Sequence, residues 1–121
     1  MKPGPRALIA YVAGAIVAGK KTGSSIYDYS DGKYRQISGS VTRTSVNIFD
    51  YTDSCYFTGT GFKANLSLYH YGQGAHMTLN MQGAAFNGYD YGSGHNFTGN
   101  VSGNNVSLYD YGTGQYYNYA I

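Results

Sequence analysis

The phrase Tyr-Asp-Tyr, or a close variant, stands at Tyr27-Asp28-Tyr29, Phe49-Asp50-Tyr51, Tyr69-His70-Tyr71, Tyr89-Asp90-Tyr91 and Tyr109-Asp110-Tyr111. The spacings are 22, 20, 20 and 20 residues. A fixed period of this size is the signature of a repeat architecture, in which one supersecondary unit is copied and each copy buries its apolar face with the help of the others. Five copies fill residues 24–121 and leave residues 1–23 as a separate N-terminal segment.

Within a copy the residues alternate. Val46, Ile48 and Asp50 share one face while Asn47, Phe49 and Tyr51 take the other. Leu66, Leu68 and His70, and then Val106, Leu108 and Asp110, repeat the pattern. Period two with one aliphatic side marks a strand with a buried face. After a Gly-x-Gly turn a second alternating run follows. Phe57, Met77, Phe97 and Tyr117 are equivalent inward positions, as are Ile37, Leu79 and Tyr119, and then Met81, Val101 and Ile121. Thr58, Thr78, Thr98, Asn80 and Asn100 face out. The unit closes on a small turn such as Ser102-Gly103-Asn104-Asn105, so each period reads strand, turn, strand, turn.

Two architectures satisfy this pattern. A two-sheet parallel β-solenoid of about five 20-residue coils stacks like residues on like at about 4.8 Å, and chemically uniform columns favour it. An antiparallel meander or barrel of about ten strands is the alternative. The solenoid is therefore expected, in an all-β chain with a short hydrophobic N-terminal segment.

The repeats Leu66-Ser67-Leu68-Tyr69-His70-Tyr71-Gly72-Gln73-Gly74 and Val106-Ser107-Leu108-Tyr109-Asp110-Tyr111-Gly112-Thr113-Gly114 resemble those of curlins, the subunits of bacterial curli fibres. The resemblance implies a strand-turn-strand coil that stacks subunit on subunit into a secreted fibre. Where those repeats carry an inward Gln before the turn, this chain holds Asp28, Asp50, His70, Asp90 and Asp110.

Residues 7–18 form a charge-free run, ALIAYVAGAIVA, between Arg6 and Lys20-Lys21. As a helix it would be about 18 Å long, too short to cross about 30 Å of hydrocarbon comfortably. Ala10, Gly14 and Ala18 fall four apart, a small-residue stripe suited to close packing against another backbone. The run is expected to bury against protein, its own domain or a neighbouring subunit, with a signal or membrane-contacting segment as the other reading. Lys20 to Ser25 reads as a polar linker.

The net charge is +2, but residues 1–23 carry four cations and residues 24–121 carry four cations against six Asp. Neither part has the basic excess of a nucleic-acid binder. The single cysteine, Cys55, excludes an internal disulfide framework. With three His and one Cys, no nucleophile, base and orienting group can be assembled, so the chain is not expected to be an enzyme, and no cofactor or metal is expected. The inward column Asp28, Asp50, His70, Asp90 and Asp110 reads as corner polar groups satisfied at their turns, by Lys33, His95 or Gln115 across the turn and by turn N–H groups. A cation held by the column is the alternative.

Tyr27, Phe49, Tyr69, Tyr89 and Tyr109 form one outward aromatic column and Tyr29, Tyr51, Tyr71, Tyr91 and Tyr111 a second, more aromatic surface than a lone soluble protein usually exposes. Ile121 ends the chain at an inward strand position with nothing to blunt an edge. Two functions follow as expectations. The first is a structural protein at the cell surface or outside the cell, whose solenoids polymerise head to tail with the N-terminal segment docked on the next subunit. The alternative is a membrane-anchored or secreted binding module offering its tyrosine ladder to a polysaccharide.

Overall fold

The computed structural model describes residues 1–19 and 25–121. The linker expected at Lys20 to Ser25 falls, apart from Ser25, outside the described residues. One helix, α1 (Pro3–Ala18), precedes ten strands: β1 (Ser25–Asp28), β2 (Lys33–Val41), β3 (Ser45–Asp50), β4 (Cys55–Phe62), β5 (Asn65–His70), β6 (Ala75–Gln82), β7 (Ala85–Asp90), β8 (His95–Ser102), β9 (Asn105–Asp110) and β10 (Gln115–Ala120).

Each strand pairs antiparallel with its sequence neighbours, and β1 closes on β10 through Tyr27 opposite Ala120 and Asp28 opposite Tyr119. The product is a closed ten-stranded barrel, which corrects the parallel solenoid and matches its alternative. Like-on-like stacking, the basis of the solenoid expectation, does not occur. Tyr69 lies opposite Thr58 on one side and His76 on the other, so the uniform columns reflect copying of a hairpin and not contact between copies.

The parallel coil implied by the curlin resemblance is likewise not formed. Closure also removes the free edge expected at Ile121, whose N–H donates to the Asn104 carbonyl at 2.9 Å. A barrel has no edge on which further strands can add.

The alternation predicted for the strands is present. Val46, Ile48, Phe57, Leu66, Leu68, Met77, Leu79, Phe97, Val101, Val106, Leu108 and Tyr119 are all buried. What they enclose is α1. Every residue from Gly4 to Ile16 is buried, on all sides of the helix. A helix that is apolar all round is stable in water only where protein surrounds it. The sixteen residues of α1 give a length of about 24 Å, comparable to six to eight strand residues at about 3.3 Å each.

Ten strands leave room for a helix only if that helix is slim, which explains Gly4, Ala7, Ala10, Ala13 and Gly14. A Cβ on Gly14 would come 2.5 Å from Ile121 Cδ1 and 3.2 Å from Val106 Cγ2. The small-residue stripe therefore meets its own barrel: Ala10 is fully buried, Gly14 abuts β9 and the C-terminal residue, and Ala18 lies exposed at the helix end. Docking of this stripe on a neighbouring subunit is replaced by packing within the chain. Full burial of a Leu, Ile or Val side chain stabilises by about 1.5–3 kcal/mol, and Leu8, Ile9 and Val12 are each 0% exposed.

The two rims are built differently. At one rim, four-residue turns join β1 to β2, β3 to β4, β5 to β6, β7 to β8 and β9 to β10. The last residue of each turn has a positive φ: Gly32 (67°), Ser54 (52°), Gly74 (63°), Gly94 (75°) and Gly114 (69°). At the other rim the hairpins are tighter, for example Gly83-Ala84 between Gln82 and Ala85. Bulk is balanced across β7 and β8, where Phe86 lies opposite Gly99 and Phe97 opposite Gly88. A Cβ on either glycine would strike the opposing ring.

Candidate functional site

The four-residue turns bring the inward column together as a ring around the barrel mouth, where α1 begins. Asp28, Asp50, His70, Asp90 and Asp110 are all at most 4% exposed. Each side chain braces the turn that follows it. Oδ1 of Asp28 accepts from the Ser30 N–H at 3.0 Å, that of Asp50 from Thr52 at 2.9 Å, that of Asp90 from Gly92 at 2.9 Å and that of Asp110 from Gly112 at 2.8 Å. His70 does the same through Nδ1, accepting from the Gln73 N–H at 3.0 Å. An Asp side chain satisfying the backbone two residues on is the mechanism that favours it before a turn.

The cations that meet this ring are not the expected Lys33 and His95, which are exposed. They come from elsewhere in the chain. The Met1 amine lies 2.7 Å from Asp110 Oδ2, and Arg6 Nη1 lies 3.6 Å from the same oxygen. Arg6 also donates through Nε to the Tyr119 hydroxyl at 3.2 Å and sits 3.4 Å from the centre of the Tyr117 ring. Burial raises the Tyr119 hydroxyl pKa, against the pull of Arg6, and keeps that hydroxyl neutral.

Arg35 occupies the position held by Phe57, Met77, Phe97 and Tyr117 in the other copies. Its Nη1 is 2.9 Å from Asp50 Oδ2 and 3.3 Å from Asp53 Oδ2. The carboxylates also face the N-terminal end of α1, where the helix dipole is positive.

The cleft of about 330 Å³ between the first turn of α1 and the rim is lined by Arg35, Asp53 and His70 among others. Its chemistry is quiet. The backbone bond to His70 Nδ1 places the ring proton on Nε2, which lies 3.6 Å from Cys55 Sγ. Burial pushes the imidazole pKa down and the Cys55 thiol pKa up. Both shifts oppose the thiolate and imidazolium pair that a cysteine nucleophile needs. Among the described residues, no group of three or more His, Cys, Asp or Glu side chains is arranged to hold a metal ion.

The outer wall has the opposite character. Tyr29, Tyr51, Tyr71, Tyr91 and Tyr111 stand at the first position of each four-residue turn and are between 55% and 63% exposed. Immediately behind them lie Tyr27, Phe49, Tyr69, Tyr89 and Tyr109, half-buried, each edge-to-face with its exposed neighbour at 4.8–4.9 Å. Tyr34, Tyr56 and Tyr116 on the following strands add to the band and are more than half exposed. These rings form an aromatic belt around one rim. The belt contains the ten aromatic residues of the two columns expected from the sequence together with Tyr34, Tyr56 and Tyr116.

Below the belt the outward positions are polar, with Thr58, Ser67, Thr78, Asn80, Asn87, Thr98, Asn100 and Ser107 on the middle strands. A membrane-spanning barrel turns an apolar band outward, and here the apolar residues point in. No helix among the described residues is long and apolar enough to cross a membrane. The run at residues 7–18 is enclosed by strands up to Ile16, so membrane contact through it would require opening the barrel.

No family model, curated protein or solved structure was found to match the chain.

Proposed function

We propose that this chain is a binding module, acting outside the cell or at its surface, that presents its aromatic belt to a polysaccharide. The observation that carries the reading is the belt itself. Five tyrosines, one per repeat, are held at closely similar exposure around one rim of a closed barrel whose core is already filled. Stacking within the barrel accounts for the half-buried row, but it does not require the outer row to stay in water. Exposed rings bordered by hydroxyl and amide side chains suit a ligand that has apolar faces and hydroxyl edges. A polymer of sugars has both, and repeated rings match a repeated ligand.

The head-to-tail filament rested on stacked coils and on an apolar segment free to dock on a neighbour. The barrel offers neither, so the binding reading takes its place. Retention on insoluble polysaccharides of different linkage, followed by titration calorimetry on the soluble fragments, tests it. Replacing the exposed Tyr71, Tyr91 and Tyr111 by Ser is expected to abolish retention while leaving solution size unchanged. Retention that survives the triple substitution, or the absence of binding to every polysaccharide offered, would overturn the proposal.

A further inference from the structure

The belt is not uniform. In each copy the half-buried ring faces, across the hairpin, the residue seven positions later: Tyr27 opposite Tyr34, Phe49 opposite Tyr56, Tyr69 opposite His76, Tyr89 opposite Asn96 and Tyr109 opposite Tyr116. Four of the five pairs are ring on ring, with centroids 4.7–4.8 Å apart. The fourth copy has an amide where the others have a ring. Tyr89 keeps its edge contact with Tyr91 and has no second ring partner among the described residues.

The missing ring leaves a depression of about 310 Å³ on the outer wall, the size of a small ligand site. Tyr89 and Tyr111 supply its aromatic surface, and Asn80, Asn87, Asn96 and Thr98 its polar groups. Asn80 donates through Nδ2 to Asn87 Oδ1 at 3.3 Å. That bond leaves the Asn80 carbonyl oxygen and the Asn87 amino group without a protein partner among the described residues. The amide of Asn96 adds a donor and an acceptor, and Thr98 a hydroxyl. No charged side chain lines the depression.

We infer that this gap in the fourth repeat is the saccharide subsite of the belt and takes one neutral pyranose unit of the polymer. The inference rests on the binding reading above and makes it specific. A pyranose ring has a face of C–H groups, which suits the negative face of an uncovered tyrosine ring. Its edges carry adjacent hydroxyls, each both donor and acceptor, which suit side-chain amides that offer N–H and C=O together. Lack of charge in the lining selects against uronic acids and sulfated sugars, whose anions would lose hydration without gaining a partner. The belt has a second depression, of about 480 Å³, at Tyr27, Tyr29 and Tyr34 of the first repeat, but there the Tyr34 ring covers Tyr27 and no side-chain amide lines the wall.

Two substitutions test the subsite in the full chain, with neutral gluco-, manno-, xylo- and chito-oligosaccharides as probes in calorimetry and in amide chemical-shift titrations. Asn96→Tyr installs the residue type found at this position in three other copies, so the barrel should fold normally. It is expected to weaken oligosaccharide binding at least about tenfold, the equivalent of one lost stacking and hydrogen-bonding site. Tyr116→Asn uncovers Tyr109 in the fifth copy and is expected to create a second, weaker site.

In the wild type, shifts should centre on Asn87, Tyr89 and Asn96. Unchanged affinity in Asn96→Tyr, with retention still lost in the triple tyrosine variant, would overturn the subsite and leave the belt reading standing. Failure of the wild type to bind any neutral saccharide would overturn both.

Discussion

Arg35 and Asp50 form a buried ion pair, guanidinium Nη1 to carboxylate Oδ2 at 2.9 Å, with side chains only 8% and 0% exposed. Arg35 stands where the other copies of the repeat have Phe57, Met77, Phe97 and Tyr117, so the strands add a cation of their own to a barrel mouth that already holds the Met1 amine and Arg6. Removing one partner of a buried pair costs more than removing both, because a lone buried charge remains. Arg35→Met is expected to destabilise the barrel by about 3–5 kcal/mol. Arg35→Met combined with Asp50→Asn should recover a substantial part of that loss, since Asn can still accept from the Thr52 N–H. Urea unfolding of the two single variants and the double variant measures the coupling. Additive losses would show that the pair is not a unit.

His70 gives the barrel a pH dependence of known sign. Burial lowers its folded-state pKa below the ordinary value of about 6.5, and the Gln73 N–H already occupies the nitrogen that would have to take the second proton. The unfolded chain therefore binds a proton more readily. Stability on this account is full above about pH 6.5 and falls as the pH drops from there toward the depressed folded value. His70→Asn keeps an acceptor for the turn and removes the titration. Unfolding free energies between pH 7.5 and about 5.5 should fall more steeply for the wild type than for the variant, and parallel slopes would contradict the assignment.

The turn row carries one misfit. Gly32, Gly74, Gly94 and Gly114 hold left-handed φ values at the last turn position, and Ser54 is made to do the same at 52°. A side chain in that conformation costs about 1–2 kcal/mol, partly offset in glycine by the entropy it loses on folding. Ser54→Gly is therefore expected to stabilise by about 0.5–1 kcal/mol, and Gly94→Ser to destabilise by a similar amount. Thermal unfolding of the two variants checks both signs at once.

The strands, their inward and outward faces and the role of Asp before each turn were legible in residues such as Val46, Asn47, Ile48 and Asp50, because alternation and turn chemistry are local. Closure was not. Whether like columns stack or alternate with unlike ones depends on whether a turn sends the chain up to the next coil or back beside itself, and Gly-x-Gly permits both. The signal that decides it lay elsewhere, in residues 7–18. A run apolar on every side must be wrapped on every side, and a barrel does this where a flattened two-sheet solenoid has no room for it.

The partners of the carboxylate ring were hidden for a similar reason. Arg6 reaches Tyr119 across a separation of 113 residues that only the closed register creates. Asn96 was visible as the non-aromatic copy of Tyr34, Tyr56, His76 and Tyr116, but it meant nothing until the hairpin placed it opposite Tyr89.

The central structural claim is that the repeats close around the chain's own N-terminal helix and hold the belt on a rigid rim. Nuclear Overhauser contacts in uniformly labelled protein test it most directly. The account predicts contacts from the Gly14 Hα protons to the methyl groups of Val106 and Ile121, and between the backbones of Tyr27 and Ala120 where the barrel closes. These contacts should be absent from isotope-filtered spectra of mixed labelled and unlabelled chains. Contacts between equivalent residues such as Ile48 and Leu68 along a coil stack, or Gly14 contacts seen only between chains, would contradict it.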